Sequence, residues 1–227
     1  YIRRSGGSIS KIAAMKNAVG NFIDQVTANA TGDPATNEDD VTHRLGIVKF
    51  SGNESDQIGN DTYRSDGNTY NYSQVVQDLT SVTGNVQSLK NTVNELAAAG
   101  STRTDFGLNQ AQRVLDGDRQ HGLGGAREEA KQVVVVFTDG EPSTFSNWSG
   151  GVAANAVNLA KDLKDDKVTV YTIGMFEDAD PSDTDGRFNK YMNGVSSNYP
   201  NAEVTNWRGD RTQDWDDCKL GGRVTEG

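Results

Sequence analysis

Cysteine is almost absent: the 227 residues hold one, Cys218, so no disulfide can close within the chain. That thiol is either free or one half of a bridge to a partner outside these residues. Positive charge is scarce as well. Against 32 Asp+Glu stand 22 Lys+Arg, a formal net charge of -10, and no basic face is visible. Nucleic acid is excluded as a partner on that ground, because neutralising phosphates needs such a face. No apolar run approaches the roughly 18 residues of a membrane span. An apolar leader is also lacking, and the abrupt opening at Tyr1 suits a mature fragment or an excised domain. The two histidines, His43 and His121, lie far apart in sequence and away from any serine or cysteine context that would make a triad. With no general-base pair and no activated nucleophile, a hydrolytic enzyme is not expected. The run "GLGGAR" lacks the strand-before, helix-after setting of a dinucleotide fingerprint, and no Walker lysine is present.

What is there is a set of apolar runs separated by polar loops. Hydrophobic residues are only 34% of the chain, but their concentration in a few runs suits one compact core rather than a disordered chain. A single domain is expected over residues 1–227. "SKIAAMKNAVGNFIDQVT" places Ile12, Met15, Val19, Phe22, Ile23 and Val26 at helical spacing, with Ser10 or Ser8 as the N-cap. "HRLGIVKFSG" reads as a strand. Residues 51–85 read as a long surface loop. "VQSLKNTVNELAAAG" is an amphipathic helix stopped by Gly100, and a second helix begins near "TDFGLNQAQRVLDG". "KQVVVVFTDG" and "KVTVYTIGMF" are continuous apolar strands, which implies burial on both faces as in a parallel sheet. "GGVAANAVNLAKDLKDD" between them is a helix. Residues 176–227 read as mostly irregular, with a short helix at "GRFNKYMNGV". Helices alternating with buried strands predict an α/β fold, a doubly wound and mostly parallel sheet with right-handed crossovers.

In such sheets ligands gather beyond the carboxyl ends of the strands. Asp139 stands there, and Gly140 lets the backbone turn away at once. A second loop, "AAAGSTRTDFGL", brings Thr102 and Thr104 to a helix start, where either serves as an N-cap or offers a free hydroxyl. A third, "RRSGGSIS", is a Ser/Gly-rich turn into the first helix. Oxygen donors without His or Cys suit a hard divalent cation such as Mg²⁺, Mn²⁺ or Ca²⁺ rather than zinc. Hydroxyl ligands are neutral, so a cation held by them still seeks an anionic oxygen from outside. The acidic run "FEDADPSDTDG" fails the EF-hand register and reads as a solvated loop. Trp148 either lines the rim of the Thr-Asp-Gly loop or packs beneath it.

The order of "SGGSISKIAAMKNAV", "GIVKFSG", "AAGSTRTDFGL", "VVVVFTDGEPS" and "KVTVYTIGM" resembles a von Willebrand factor type A domain over roughly residues 5–200. The stretch "RFNKYMNGVSSNYPNAE" is similar to the variant in surface and pilus-tip proteins of Gram-positive bacteria. The resemblance implies a metal-ion-dependent adhesion site, with Thr102 as the threonine of the second loop and Asp139 as the aspartate of the third. The family's first motif, Asp-x-Ser-x-Ser, is incomplete here: Arg3 stands where its aspartate belongs, Ser5 fits the first serine, and Gly7 replaces the second. The implied metal ligands are therefore Ser5, Thr102 and Asp139. The first strand, central in the family's sheet, is reduced to Tyr1–Ile2, and a closing strand and helix are expected beyond Gly227.

The resemblance further implies an extracellular, cell-surface adhesion module associated with a cell wall or pilus, and not an enzyme. Its partner would be a host cell-surface or extracellular-matrix protein whose acidic side chain completes the cation's shell, alongside other pilus or surface subunits. Ser101, Arg103, Glu141 and Ser143 are the expected ligand-contacting rim. The alternative is a structural or assembly module of a pilus with a metal-free site, in which the Arg3 guanidinium sits against Asp139 in place of the cation.

Overall fold

Before its first long helix the chain makes a small antiparallel hairpin, β1 (Ile2–Arg4) with β2 (Gly7–Ile9), Ile2 lying opposite Ile9. The structure is a computed structural model that describes residues 2–4, 7–30, 42–52, 62–65, 68–144 and 147–224. Ser10 caps α1 (Lys11–Ala28), its hydroxyl accepting the Ala13 N–H at 3.3 Å and satisfying one of the helix's orphan donors. Then follow β3 (Arg44–Lys49), β4 (Thr62–Ser65), β5 (Asn68–Asn71), β6 (Gln74–Ser81), α2 (Val86–Asn94) and α3 (Thr104–Asp116). The second half comprises β7 (Val133–Thr138), β8 (Ser143–Thr144), β9 (Asn147–Trp148), α4 (Gly150–Asp165), β10 (Thr169–Gly174), α5 (Arg187–Val195), β11 (Glu203–Val204) and β12 (Cys218–Lys219).

The fold is α/β, as expected. β7 and β10 pair in parallel, Val133 beside Thr169 through Thr138 beside Gly174, and α4 makes the crossover between them. β3 pairs antiparallel with β6, with shifts in register on either side of Ile47. α3 packs against both halves: it lies against α4 and approaches β3 so closely that a methyl group on Gly46 would stand 3.1 Å from Val114 Cγ1.

Two hydrophobic clusters result. The larger gathers Val136, Val170, the alanines of α4 and, from α5 onward, Tyr191, Val195, Tyr199 and Val204. The smaller gathers Ile23 of α1, Val82, and Leu89 and Val93 of α2, with Leu45 and Ile47 packed against it. The run of small residues in α4 is what lets that helix settle on the β7–β10 pair.

Three expectations need correction. The stretch 51–85 is not simply loop: it contains the β4–β5 hairpin and the eight-residue β6. Gln74, Gln77 and Asp78 interrupt the apolar residues of β6, as an edge-type strand permits. α2 ends at Asn94, and Gly100, at φ +70°, instead makes the turn into the loop before α3. β7 and β10 are not buried on both faces. Val170 is 1% exposed and Val136 6%, whereas Val133, Tyr171 and Ile173 on the other face are 45%, 56% and 41% exposed. Residues 176–227 are irregular in backbone yet supply much of the larger cluster, and Trp215 packs there while Trp207 stays exposed. Cys218, on β12, is a buried thiol of that cluster.

Candidate functional site

Asp139 follows the last residue of β7 and keeps its side chain about half exposed, at 52%. The turn after it is closed by Thr138: its hydroxyl donates to the Gly140 carbonyl at 2.9 Å, and the Gly140 N–H points back at that hydroxyl at 3.4 Å. Gly140 also allows a close approach, since a methyl group there would stand 3.2 Å from Thr102 Oγ1. The two loops are latched by a reciprocal pair of bonds. The Thr102 N–H donates to Ser143 Oγ, and the Ser143 N–H donates to the Thr102 carbonyl, each at 3.1 Å. Thr102 and Asp139 thus share one rim, at the carboxyl end of β7.

The cap reading of the threonines does not hold. α3 begins at Thr104, its cap position is Arg103, and no side chain caps it. Thr102 Oγ1 is therefore not spent on the helix N-terminus.

Of the expected rim residues, Ser101 is tied to the chain by its N–H to the Gly52 carbonyl at 2.9 Å. Ser143 serves as the latch just described. Glu141 meets Arg187 at 2.6 Å, and the Arg187 guanidinium also lies over the Trp148 ring, 4.5 Å from its centroid. Trp148 packs edge-on against Trp215 and Tyr191 beneath the loop. Arg103 departs from expectation: it is only 7% exposed. Its guanidinium makes two bonds to Asp105, at 2.9 and 2.8 Å, and covers the Phe106 ring at 3.5 Å. It braces the start of α3 rather than facing outward.

Ser5 lies outside the described residues. Arg3 falls on β1 opposite Ser8, and Gly7 begins β2; the suggested contact of the Arg3 guanidinium with Asp139 rests on a side chain outside the described ones. A different cation does stand at Asp139. Lys11 Nζ is 3.7 Å from Asp139 Oδ2 and donates to the Asp139 carbonyl at 3.2 Å. The sequence held a signal for it: a lysine in the first turn of a helix is disfavoured by the helix dipole, so it gains from a nearby anion.

As a cation site the described donors are one carboxylate and one hydroxyl at one rim. That set fits a hard divalent ion that keeps several of its waters. No group of three or more His, Cys, Asp or Glu side chains converges among the described residues. Among those residues, too, no helix is long and apolar enough to cross a membrane.

Comparison with known proteins follows the same lines. The model of the von Willebrand factor type A domain matches residues 5–208. No curated protein matches the chain. Among solved structures, the pilus adhesin SpaC from Lactobacillus rhamnosus GG, in its open conformation, superposes with a TM-score of 0.52 at 17% identity, over 82% of this chain and 25% of that one. Proximal thread matrix protein 1 from the mussel byssus, solved with a zinc occupied MIDAS motif, gives 0.48 at 16% identity, over 82% of this chain and 36% of that one. At 17% identity the likeness to the pilus adhesin is one of fold alone, and the chain spans only a quarter to about a third of these proteins.

Proposed function

The chain belongs to the von Willebrand factor type A domain family, and from that premise we propose that it is an extracellular adhesion module, carried on a cell surface or pilus, that grips a protein ligand through a divalent cation. Asp139 and Thr102 hold the ion, with Ser5 as a third oxygen donor. The observation that carries this reading is the latch between Thr102 and Ser143, which keeps a neutral hydroxyl against Gly140, the residue that follows the half-exposed Asp139 carboxylate at the end of β7.

When bound, the cation supplies an electrophilic centre for a carboxylate from the partner, an Asp or Glu of a host or matrix protein. The protein's own part is positional. Thr138 and Gly140 fix the turn that presents Asp139, and the Arg103–Asp105 pair braces the helix behind Thr102. Ser101, Glu141 and Ser143 border the rim and discriminate among partners.

Titration calorimetry with Mg²⁺ or Mn²⁺ tests the reading. Saturable heat is expected from the protein and none from Asp139→Ala, and adhesion should vanish in EDTA and return with Mg²⁺. Absence of metal heat in the unaltered protein rejects it.

A second reading has its own observation. The Lys11 ammonium already stands against Asp139, which suits a structural or assembly module that works without metal and binds partners through its loops. Binding that is insensitive to chelator supports that reading.

A further inference from the structure

The turn at residues 206–210 is pinned from within and stands in the open. The chain leaves the larger cluster at Val204 and comes straight back to it. Thr205 pairs with Arg211 across the stem, and the Thr212 N–H donates to the Val204 carbonyl at 3.2 Å. Asn206 closes the tip. Its N–H donates to the Asp210 carbonyl at 2.9 Å, and its carbonyl accepts the Gly209 N–H at 3.0 Å. Its Oδ1 accepts the N–H groups of Arg208 and Asp210, at 2.8 and 3.1 Å. Gly209 takes φ +87°, the conformation that the last residue of a three-residue hairpin loop adopts and that side chains resist.

This tip carries Trp207, Arg208 and Asp210, all exposed. Trp207 is 84% exposed, more than any other large apolar side chain among the described residues. The Arg208 guanidinium lies over the Trp207 ring, 4.6 Å from its centroid, and makes no ion pair among the described residues. The Asp210 carboxylate has no partner among them either. Neighbouring ions are spent differently: the Arg211 guanidinium grips Asp162 of α4, and Arg187 meets Glu141. Tryptophan and arginine are the residue types that most often anchor a protein interface. A turn already fixed in shape loses little freedom when it docks.

We propose that the tip Trp207–Asp210 docks a cell-surface receptor that itself holds a divalent cation beside an acidic side chain. The sequence Arg-Gly-Asp occurs once in the chain, and its chemistry defines the partner. Asp210 brings the anionic oxygen that a hard cation takes from outside its own protein. Arg208 brings a two-pronged donor matched to a carboxylate. Glycine between them keeps the backbone open to close approach, and a methyl group there would meet nothing of this chain. Trp207 adds the apolar contact at the edge. The polarity is the reverse of the rim's: there the partner brings the acid, and here this chain does.

The tip is a separate site from the rim. The Ser149 N–H bonds the Pro142 carbonyl, so α4 starts beside the rim loop. Arg211 is anchored to Asp162 near the other end of that helix, about 20 Å along its axis. The proposal therefore holds whether or not the rim binds metal.

Surface plasmon resonance tests it on the immobilised chain, with the ectodomain of a receptor selected for cation-dependent binding of the peptide Gly-Arg-Gly-Asp-Ser. In Mn²⁺, saturable binding is expected, blocked by that peptide and lost in EDTA. Asp210→Glu keeps the charge but carries the carboxylate one methylene outward, and should weaken binding by about tenfold or more. Arg208→Lys, which loses the fork, and Trp207→Ser should each weaken it severalfold. All three side chains are exposed, so circular dichroism should show each variant folded like the parent. Asp139→Ala should bind as the parent does, because the cation belongs to the receptor. Absence of binding overturns the proposal, as does binding that survives Asp210→Glu. Binding lost in Asp139→Ala also overturns it, assigning the receptor to the rim. So does self-association in Mg²⁺ that both Asp210→Glu and Asp139→Ala abolish, which would assign the tip to the rim of a second copy.

Discussion

The Lys11 ammonium stands 3.7 Å from the Asp139 carboxylate, across 128 residues of sequence, and bonds the same residue's carbonyl. The first helix is thereby tied to the rim at the end of β7 by a charge that a divalent ion would have to displace. Both side chains are well exposed, so the tie is weak, and exchange of a lysine for a metal is within easy reach.

Lys11→Met should therefore raise the affinity for Mg²⁺ about two- to fivefold, the range open to an exposed charge pair. Calorimetry on the two proteins at low ionic strength measures it. Unchanged affinity would mean that the ammonium swings clear in solution.

Asp105→Ala should be the most damaging change near the site. It removes the carboxylate that takes two bonds from the buried Arg103 guanidinium, and removing one partner of a buried pair costs up to about 3–5 kcal/mol. Thermal unfolding should fall by roughly 2–4 °C for each kcal/mol in a chain of this size.

Gly107→Ala should destabilise α3 where it crosses the end of β3. The new methyl would meet the Phe50 ring at 2.7 Å and its Cβ at 3.0 Å, and overpacking of this kind costs about 1–3 kcal/mol. Denaturant midpoints at constant m-value report it.

The Cys218 thiol should resist iodoacetamide at pH 8 until guanidinium unfolds the chain, because burial pushes its pKa from 9.0 up to about 11. Between those values the folded state holds a proton that the unfolded state has lost. This group's contribution to stability is complete below pH 9 and declines as pH rises toward 11.

Lys164 should act in the opposite sense. Its ammonium donates to the carbonyls of Gly194, Ser196 and Tyr199 at 2.9, 3.4 and 3.0 Å, joining α4 to the end of α5. Burial pushes its pKa from 10.5 down to about 8, with Lys161 adding to the shift. From pH 8 to 10.5 the unfolded state binds the extra proton, so this group's contribution grows with pH in that window. Lys164→Met removes that slope in chemical denaturation and costs about 1–3 kcal/mol by leaving carbonyls unpartnered.

Patterns with a short period were the legible part of this protein. The apolar spacing of α1 and α4, the valine run of β7 and the Asp-Gly step that ends it are each local, because helix and strand periods write themselves into neighbouring residues. β6 was hidden by the polar residues an edge-type strand tolerates, and Arg103 read as a surface residue because nothing in the order of residues shows that Asp105 and Phe106 will fold over it. The sequence by itself determined which segments are helices and apolar strands, and that a carboxylate and a hydroxyl occur where such strands and helices meet. Only the tertiary structure decided that Thr102 is latched to Ser143 and that Lys11 rather than another cation among the described side chains meets Asp139. Those are contacts between residues far apart in the chain, set by how packed elements approach one another, and no local period encodes them.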